Sequence, residues 1–283
     1  MVVLSWELIR NKTVRFINSV YQLPQCYISS NPYTGSTGIA GLLNCIAIRY
    51  GGLWAAMRFY VPSVTPGIIL SSHNTLPPII PGSNLLWVYI GTDGNLRVGD
   101  LSSGEVVLPL TAGWHTLIAG EYYMNGTYYV VAYLDTPSNY GTNSTTAAPS
   151  LFQASIFPYS FVGTGFGAWP YTTNIWSYFN GSIQYIALYG GNSPNIQSTL
   201  VQWLAQTGGK ALPPTISGAG PYALYVPISL SNDGSVWFDV SGNGNDATQI
   251  INNTNLPIST SPAILELLPE QPTALVYGLA RVA

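Results

Sequence analysis

Residues 113–134 read Gly113-Trp114-His115-Thr116-Leu117-Ile118-Ala119-Gly120-Glu121-Tyr122-Tyr123-Met124-Asn125-Gly126-Thr127-Tyr128-Tyr129-Val130-Val131-Ala132-Tyr133-Leu134. Trp114–Glu121 and Tyr128–Leu134 are runs rich in aromatic and β-branched residues, with Asn-Gly in the turn between them. Asn-Gly accepts the left-handed backbone of a two-residue hairpin, so the two runs predict adjacent antiparallel strands. Thr92-Asp93-Gly94-Asn95 repeats the device between Leu85–Gly91 and Leu96–Asp100. Such turns join antiparallel neighbours, whereas parallel strands need long crossovers. Working outward, Asn44–Tyr50, Leu53–Val61, Gly67–Ser71, Phe152–Phe157, Phe161–Trp169 and Gly181–Tyr189 are further strand-like runs. One helix is predicted, Asn195–Gln206, with Ile196, Leu200, Trp203 and Leu204 on one face and Gly208-Gly209 as its stop. The fold class is all-β and antiparallel.

Composition narrows the function. Only 7% of the 283 residues are charged, and the formal net charge is −3. An average soluble domain carries roughly 25% charged residues. So few charges exclude a coiled coil, a charged disordered tail and a Lys/Arg face for nucleic acid. Arg10, Lys12 and Arg15 are the one small basic cluster. Apolar runs such as Gly38–Ile48 fall far short of the ~20 residues of a membrane-crossing helix. Glu7, Arg10, Lys12 and Arg15 interrupt Met1–Val20, which does not read as a secretory signal. The expectation is a chain made and assembled in the cytoplasm, or one whose leader has been removed.

Five N-x-S/T sequons, at Asn11, Asn125, Asn143, Asn180 and Asn252, point outward. Acid denatures proteins mainly by protonating paired carboxylates, and this chain has eleven Asp and Glu in all, which suits an acidic setting. Cys26 and Cys45 are either two buried thiols or one disulfide, which would contribute ~3 kcal/mol. Pro213-Pro214, Gly218 and Gly220 mark a linker. The expected divisions are an N-terminal arm or strand (1–25), a sandwich (26–210), the linker (211–221), a small β appendage (222–255) and an extended C-terminal arm (256–283).

Three stretches resemble the laminin-G-like, concanavalin-A-type jelly roll. Gly113–Gly120 and the hairpin after it are similar to that family's Trp-His strand. Phe179–Tyr189 is similar to its closing strand, and Ser193-Pro194 with the following helix to the short helix that succeeds it. Alternation of Ile183, Tyr185, Ala187 and Tyr189 against Gln184, Ile186 and Leu188 predicts a strand covered on both faces. Phe238-Asp239-Val240-Ser241-Gly242-Asn243-Gly244-Asn245-Asp246 is similar to a segment found near the beginning of such domains. Here it follows the closing strand, so it either starts a truncated second copy or supplements the first sandwich; a small appendage is the expectation. The resemblance covers roughly Cys26 to Gly208 and implies two antiparallel sheets packed face to face.

A retaining glycosidase needs two carboxylates ~5 Å apart. Every Asp or Glu here is at least four residues from the next, so only folding could pair two, such as Glu105 and Glu121. Asp135-Thr136-Pro137 lacks the glycine of an aspartic-protease elbow. His73 and His115 are the only histidines, no Gly-x-Ser-x-Gly elbow accompanies them, and His115, inside its strand, reads as a packed, hydrogen-bonded side chain. Gly163, Gly165 and Gly167 lack dinucleotide spacing.

Asp239, Ser241 and Asn243, followed by Asn245 and Asp246, begin like a calcium loop, but Ile250 stands where a bidentate Glu belongs. Turns held by Asx hydrogen bonds account for the same residues. Calcium is the one cofactor candidate. Trp169, Tyr171, Asn174, Trp176 and Tyr178 form the aromatic and amide-rich stretch suited to sugar, with core packing or subunit contact as the competing role of the same residues.

Without a catalytic pair, a metal cluster or a nucleotide loop, the chain reads as a non-enzymatic, outward-facing structural or attachment protein. Its style resembles surface and virion proteins of thermoacidophilic archaea and their viruses. That resemblance implies a capsid, tail or spike subunit, located on the virion surface or extracellular. Its partners would be copies of itself, other virion or surface proteins and host glycans, with no nucleic acid and no membrane span. Strand pairing through 1–20 or 256–283 would tie it to neighbours, unless those segments fold back on their own domain. A secreted carbohydrate-binding module or adhesin is the alternative, and a degenerate glycosidase-like domain the third reading.

Overall fold

The computed structural model describes residues 4–73, 84–100, 104–155, 157–163, 178–216, 220–250 and 262–267. From the N-terminus come helix α1 (Trp6–Ile9), strands β1 (Lys12–Phe16), β2 (Tyr21–Leu23), β3 (Gln25–Ile28) and β4 (Gly38–Gly41), and helix α2 (Leu42–Tyr50). Strands β5 (Gly52–Val61), β6 (Gly67–His73), β7 (Asn84–Ile90), β8 (Asn95–Asp100) and β9 (Gly104–Pro109) follow. Next are β10 (Gly113–Met124), β11 (Thr127–Leu134), β12 (Tyr140–Thr145), β13 (Tyr159–Val162) and β14 (Gly181–Gly190). Helix α3 (Pro194–Thr207) leads to β15 (Ala223–Tyr225), β16 (Val236–Trp237), β17 (Ala247–Gln249) and β18 (Ile264–Leu267).

Among the described residues two eight-stranded antiparallel sheets face each other. One runs β12-β11-β10-β5-β14-β1-β18 with β15 also on β14; the other runs β16-β17-β2-β13-β6-β7-β8-β9. Alternation along β5 explains the layering. Leu53, Ala55, Met57, Phe59 and Val61 enter the core between the sheets. Trp54 and Ala56 point the other way, against Ile196, Leu200, Trp203 and Leu204 of α3. The central strands β5 and β14 of the first sheet are therefore buried on both faces, and burying each large apolar side chain contributes roughly 1.5–3 kcal/mol. In the β10–β11 turn Met124 pairs with Thr127, and Asn125 and Gly126 take φ of 51° and 84°, the two-residue turn that their types favour.

Several elements differ from the sequence reading. Asn44–Tyr50, read as a strand, belongs to helix α2, between an extended Gly41 and a left-handed Gly51. Leu42, Leu43, Cys45, Ile46, Ala47 and Ile48 are all buried, and a helix apolar all round has no periodicity to tell it from a buried strand. The Asn44 amide nitrogen donates to the carbonyls of Ser150, Leu151 and Gln153. Those bonds hold Ser150–Phe152 as a 3₁₀ turn that runs into the start of Phe152–Phe157, where the sequence predicts a strand. In β14 the pairing with β5 shifts between Ile183 and Tyr185, a bulge at Gln184 that the simple alternation missed. Ile183, Ile186 and Leu188 consequently share the inner face, while Tyr185, Ala187 and Tyr189 meet α3.

The ends are also integrated. β1 lies between β14 and β18, and β2 belongs to the opposite sheet, so the expected N-terminal arm crosses between the layers. The described part of the expected C-terminal arm, 262–267, folds back as β18 against β1. The described part of segment 222–255, residues 222–250, supplements the sandwich, with β15 on β14, β17 on β2 and β16 on β17. A segment of that length lacks a core of its own, and its Trp237 is buried against Phe16, Tyr21 and Tyr225. Cys26 and Cys45 are bridged, with Cα atoms 6.2 Å apart, tying β3 to α2.

Glu121 lies on the inner face of β10, fully buried, and among the described residues neither carboxylate oxygen has a hydrogen-bond partner. Burial pushes its pKa up to about 8; Asp100 adds to the rise and the Trp87 indole opposes it. The folded state holds this proton more tightly than the unfolded chain, so the stabilisation is complete below the ordinary glutamate pKa and is lost as pH rises through about 8. Stability is expected to increase between pH 8 and pH 5 by on the order of a few kcal/mol. Glu121→Gln should flatten that slope in denaturant titrations, whereas an unchanged slope would assign it to other groups.

Candidate functional site: a tryptophan and arginine cleft

Register places the first components. In the β5–β10 ladder Tyr60 pairs with Trp114 and Arg58 with Thr116, on the face turned away from the inter-sheet core. The Arg58 guanidinium carbon lies 5.0 Å over the Trp114 ring. Its Nη1 donates to Thr116 Oγ1 at 3.0 Å and to the Gly208 carbonyl at 3.4 Å. Burial lowers the Arg58 pKa, with Tyr185 and Asp135 opposing, yet a guanidinium stays charged at any physiological pH. The end of α3 comes this close because Gly209, at φ 75°, has no Cβ; one there would sit 2.2 Å from Thr116 Oγ1.

Trp6 and Arg10 close the opposite wall, where Gln184 donates to the carbonyls of Ile9 and Arg10 at 3.0 and 2.9 Å. With Asp135 and Lys210 these residues enclose a cleft of about 570 Å³, a volume typical of small-molecule sites, which run ~300–1,000 Å³. Arg10, Arg58 and Lys210 face one carboxylate, that of Asp135. Three of the chain's eight Lys and Arg thus converge on one cleft of a protein whose net charge is −3. Arg10 also pairs with Glu7 at 2.9 Å, a solvent-exposed contact of small energetic value.

Asp135 is held rather than free. At φ 65° it ends β11, where its Oδ1 accepts the Thr116 N–H at 2.8 Å and its Oδ2 lies 2.8 Å from His115 Nδ1. His115 Nε2 lies 2.8 Å from the Thr111 carbonyl. Both neighbours of the ring are acceptors, which favours the doubly protonated imidazolium. Burial alone would lower the His115 pKa, but Asp135 and then Thr111 outweigh it and the net shift is upward. Chemically, the cleft offers the indoles of Trp6 and Trp114, the guanidinium that lies over the second of them, and the cations of Arg10 and Lys210.

Other residues singled out by the sequence lie elsewhere. Trp169, Tyr171, Asn174 and Trp176 fall outside the described residues, while Tyr178 is buried with Val20 and Phe161. Glu105 and Glu121 do not pair. Glu105 receives a hydrogen bond from Tyr89 and an ion pair from Arg97 in the second sheet, and Glu121 faces the core from the first. His73 is buried against Ser71, its Nε2 2.7 Å from Ser71 Oγ.

Asp239, Ser241, Asn243, Asn245 and Asp246 do gather in one loop. Asp239 accepts from the N–H groups of Leu224, Ser241 and Asn245, the Ser241 hydroxyl and the Asn245 amide, and Asp246 accepts the Asp239 N–H. Donors, not further acceptors, surround this carboxylate, which is the Asx-turn arrangement. Among the described residues no three His, Cys, Asp or Glu side chains gather as a metal site, and no helix is long and apolar enough to cross a membrane. Of the sequons, Asn125 and Asn180 are exposed, Asn11 and Asn143 are half-buried, and Asn252 lies outside the described residues. Sequence reasoning noticed Trp114 only as a strand residue and missed Arg58 and Lys210, since their convergence depends on register and on the end of α3.

The paired antiparallel sheets with a covering helix define the class: a two-layer antiparallel β-sandwich with a helix on its outer face. No family model matches the chain, and no curated protein does. Among solved structures it is similar to the mouse laminin α1 chain, domains LG4-5, at 13% identity and TM-score 0.38, over 65% of this chain and 43% of that one. The Ruminococcus gnavus IT-sialidase CBM40 matches at 12% identity and TM-score 0.41, over 65% of this chain and 98% of that one. Tailspike protein 2 of bacteriophage CBA120, in its enzymatically active domain, matches at 12% identity and TM-score 0.33, over 67% and 31%. The chain thus spans less than half of the laminin and tailspike chains that it matches.

His115 is expected to titrate above the ordinary histidine value in proton-detected NMR, and Asp135→Asn to bring it down. A His115 that titrates lower in the native protein than in Asp135→Asn would contradict the ion pair.

Proposed function

We propose that this chain is a non-catalytic, glycan-binding protein of an exposed surface, and that the Trp6/Trp114 cleft holds a saccharide bearing a carboxylate or sulfate. The cleft carries the reading. Indole faces match the apolar face of a pyranose, and charge-assisted bonds from Arg10, Arg58 and Lys210 match an acidic substituent. Among the described lining residues Asp135 is the single carboxylate, and it is already engaged by Thr116 and His115, which leaves glycoside hydrolysis without an acid–base pair among them.

The finer placement, a capsid, tail or spike subunit of an archaeal virus, draws support from the scarcity of charge, the exposed sequons at Asn125 and Asn180, and a core carboxylic acid that favours low pH. Mass photometry with intact-mass spectrometry of natively purified material tests it. Large homomeric assemblies carrying glycan mass support the virion surface, and an unmodified monomer supports a secreted binding module instead.

For the cleft, calorimetry with an acidic oligosaccharide is expected to show binding that Lys210→Ala and Trp6→Ala each weaken by roughly tenfold. Esterifying the sugar carboxylate should have a comparable effect. Equal affinity for acid and ester would remove the electrostatic basis of the assignment.

A further inference from the structure

The same outer face holds a second cleft at the opposite end of α3, about 420 Å³ in volume. Tyr50 and Tyr222 form one side, Asn192 and Ser193 another, and Asn243 the rim. No Asp, Glu, Lys, Arg or His is among its described lining residues. We propose that this cleft is a second glycan-binding site, selective for a neutral pyranose.

Its aromatic surface is held in place. The Tyr50 ring, 45% exposed, packs edge-on to Tyr222 with centroids 5.7 Å apart. It also lies directly on Gly190, where a Cβ would come within 2.4 Å of the ring. A pyranose stacks its C–H face on such a surface, and a preset ring forfeits little entropy on binding.

The main chain behind Tyr222 is equally set. The Tyr222 carbonyl accepts from Ser241 Oγ at 3.1 Å, Asn243 Nδ2 at 2.9 Å and Asn245 Nδ2 at 2.8 Å, and the Tyr222 N–H donates to the Leu188 carbonyl at 2.7 Å. The Asp239 loop, read from sequence as a calcium candidate, thereby anchors this wall to β14.

Unspent polar groups remain. The Asn192 amide nitrogen donates to Tyr123 and that of Asn243 to Tyr222, which fixes both amide planes. Among the described residues both amide oxygens and both tyrosine hydroxyls have no intramolecular partner, which leaves acceptors and donors for sugar hydroxyls. Neutral groups alone suit a neutral ligand, in contrast to the cationic cleft. The fourteen residues of α3 separate the two by ~21 Å, so both can be filled at once.

The test is chemical-shift mapping on the full chain with the methyl glycosides of glucose, galactose and mannose. Shifts at Tyr50, Asn192, Tyr222 and Asn243 are expected with at least one of them. Tyr222→Ala and Asn243→Ala should each weaken that binding by roughly tenfold, while Lys210→Ala leaves it unchanged. Asn243 is exposed, so its variant remains informative if Tyr222→Ala fails to fold. Absence of shifts with all three glycosides overturns the proposal, as does binding that both variants leave at full strength. Shifts confined to Trp114 and Lys210 overturn it in favour of one shared cleft. The acidic-glycan reading of the first cleft is judged separately, by its own acidic ligand.

Discussion

The indole of Trp237 stands where both ends of the described chain meet the body of the sandwich. Its ring lies 5.9 Å from Phe16, 6.1 Å from Tyr21 and 5.5 Å from Tyr225, and its N–H donates to the Val226 carbonyl at 2.8 Å. Phe16 in turn meets Phe179, next to β14, at 6.0 Å. Five buried aromatics from segments more than two hundred residues apart thus share one apolar volume. Strands β1, β2, β15, β16 and β17 are each short, and such strands are stable only when a common core covers them. Tyr21 adds a polar lock, donating to the Gly234 carbonyl at 2.6 Å, and burial pushes its pKa up to about 12.

The other organising feature is the first sheet, covered on one face by the second sheet and on the other by α3. A recess lies at each end of α3. Small residues control both: Gly209 lets the helix end approach Thr116, and Gly190 lets Tyr50 lie on β14. The recesses differ in chemistry because their walls come from different loops. Arg10, Arg58 and Lys210 reach one; Asn192 and Asn243 reach the other. Rigid strands with variable end-loops are a common way for one scaffold to present distinct binding surfaces.

Two titrating groups give the fold its response to pH. Glu121 is raised by burial, with Asp100 adding to the rise and Trp87 opposing it, and His115 is raised because Asp135 and Thr111 together outweigh burial. Both protons are bound more tightly in the folded state, so both effects favour the fold as pH falls. Exposed acidic groups act the other way: Asp233, held to about 2 by the Ser235 and Ser231 donors, loses those favourable bonds only in strong acid. A chain with eleven Asp and Glu has few further groups to counter this balance.

The sequence by itself determined the antiparallel class, because Asn-Gly and Asp-Gly turns and alternating side chains are local signals that no distant contact is needed to read. It also determined the extent of α3, whose apolar face and glycine stop are local, and the absence of adjacent carboxylate pairs. Tertiary structure alone decided the rest. In helix α2 every residue from Leu42 to Ile48 is buried, so no periodicity separates it from a buried strand in the sequence, and the Asn44 bonds to 150–153 that fix it in place come from a distant segment. The bulge at Gln184 is satisfied by carbonyls of Ile9 and Arg10, more than 170 positions away. Both clefts depend on the same kind of distant meeting: Arg58 reaches Trp114 and Gly208, and Tyr50 reaches Tyr222, only through sheet register and helix placement. Residue types announce what chemistry is available, but proximity between remote segments is set by packing, and packing is a property of the whole chain.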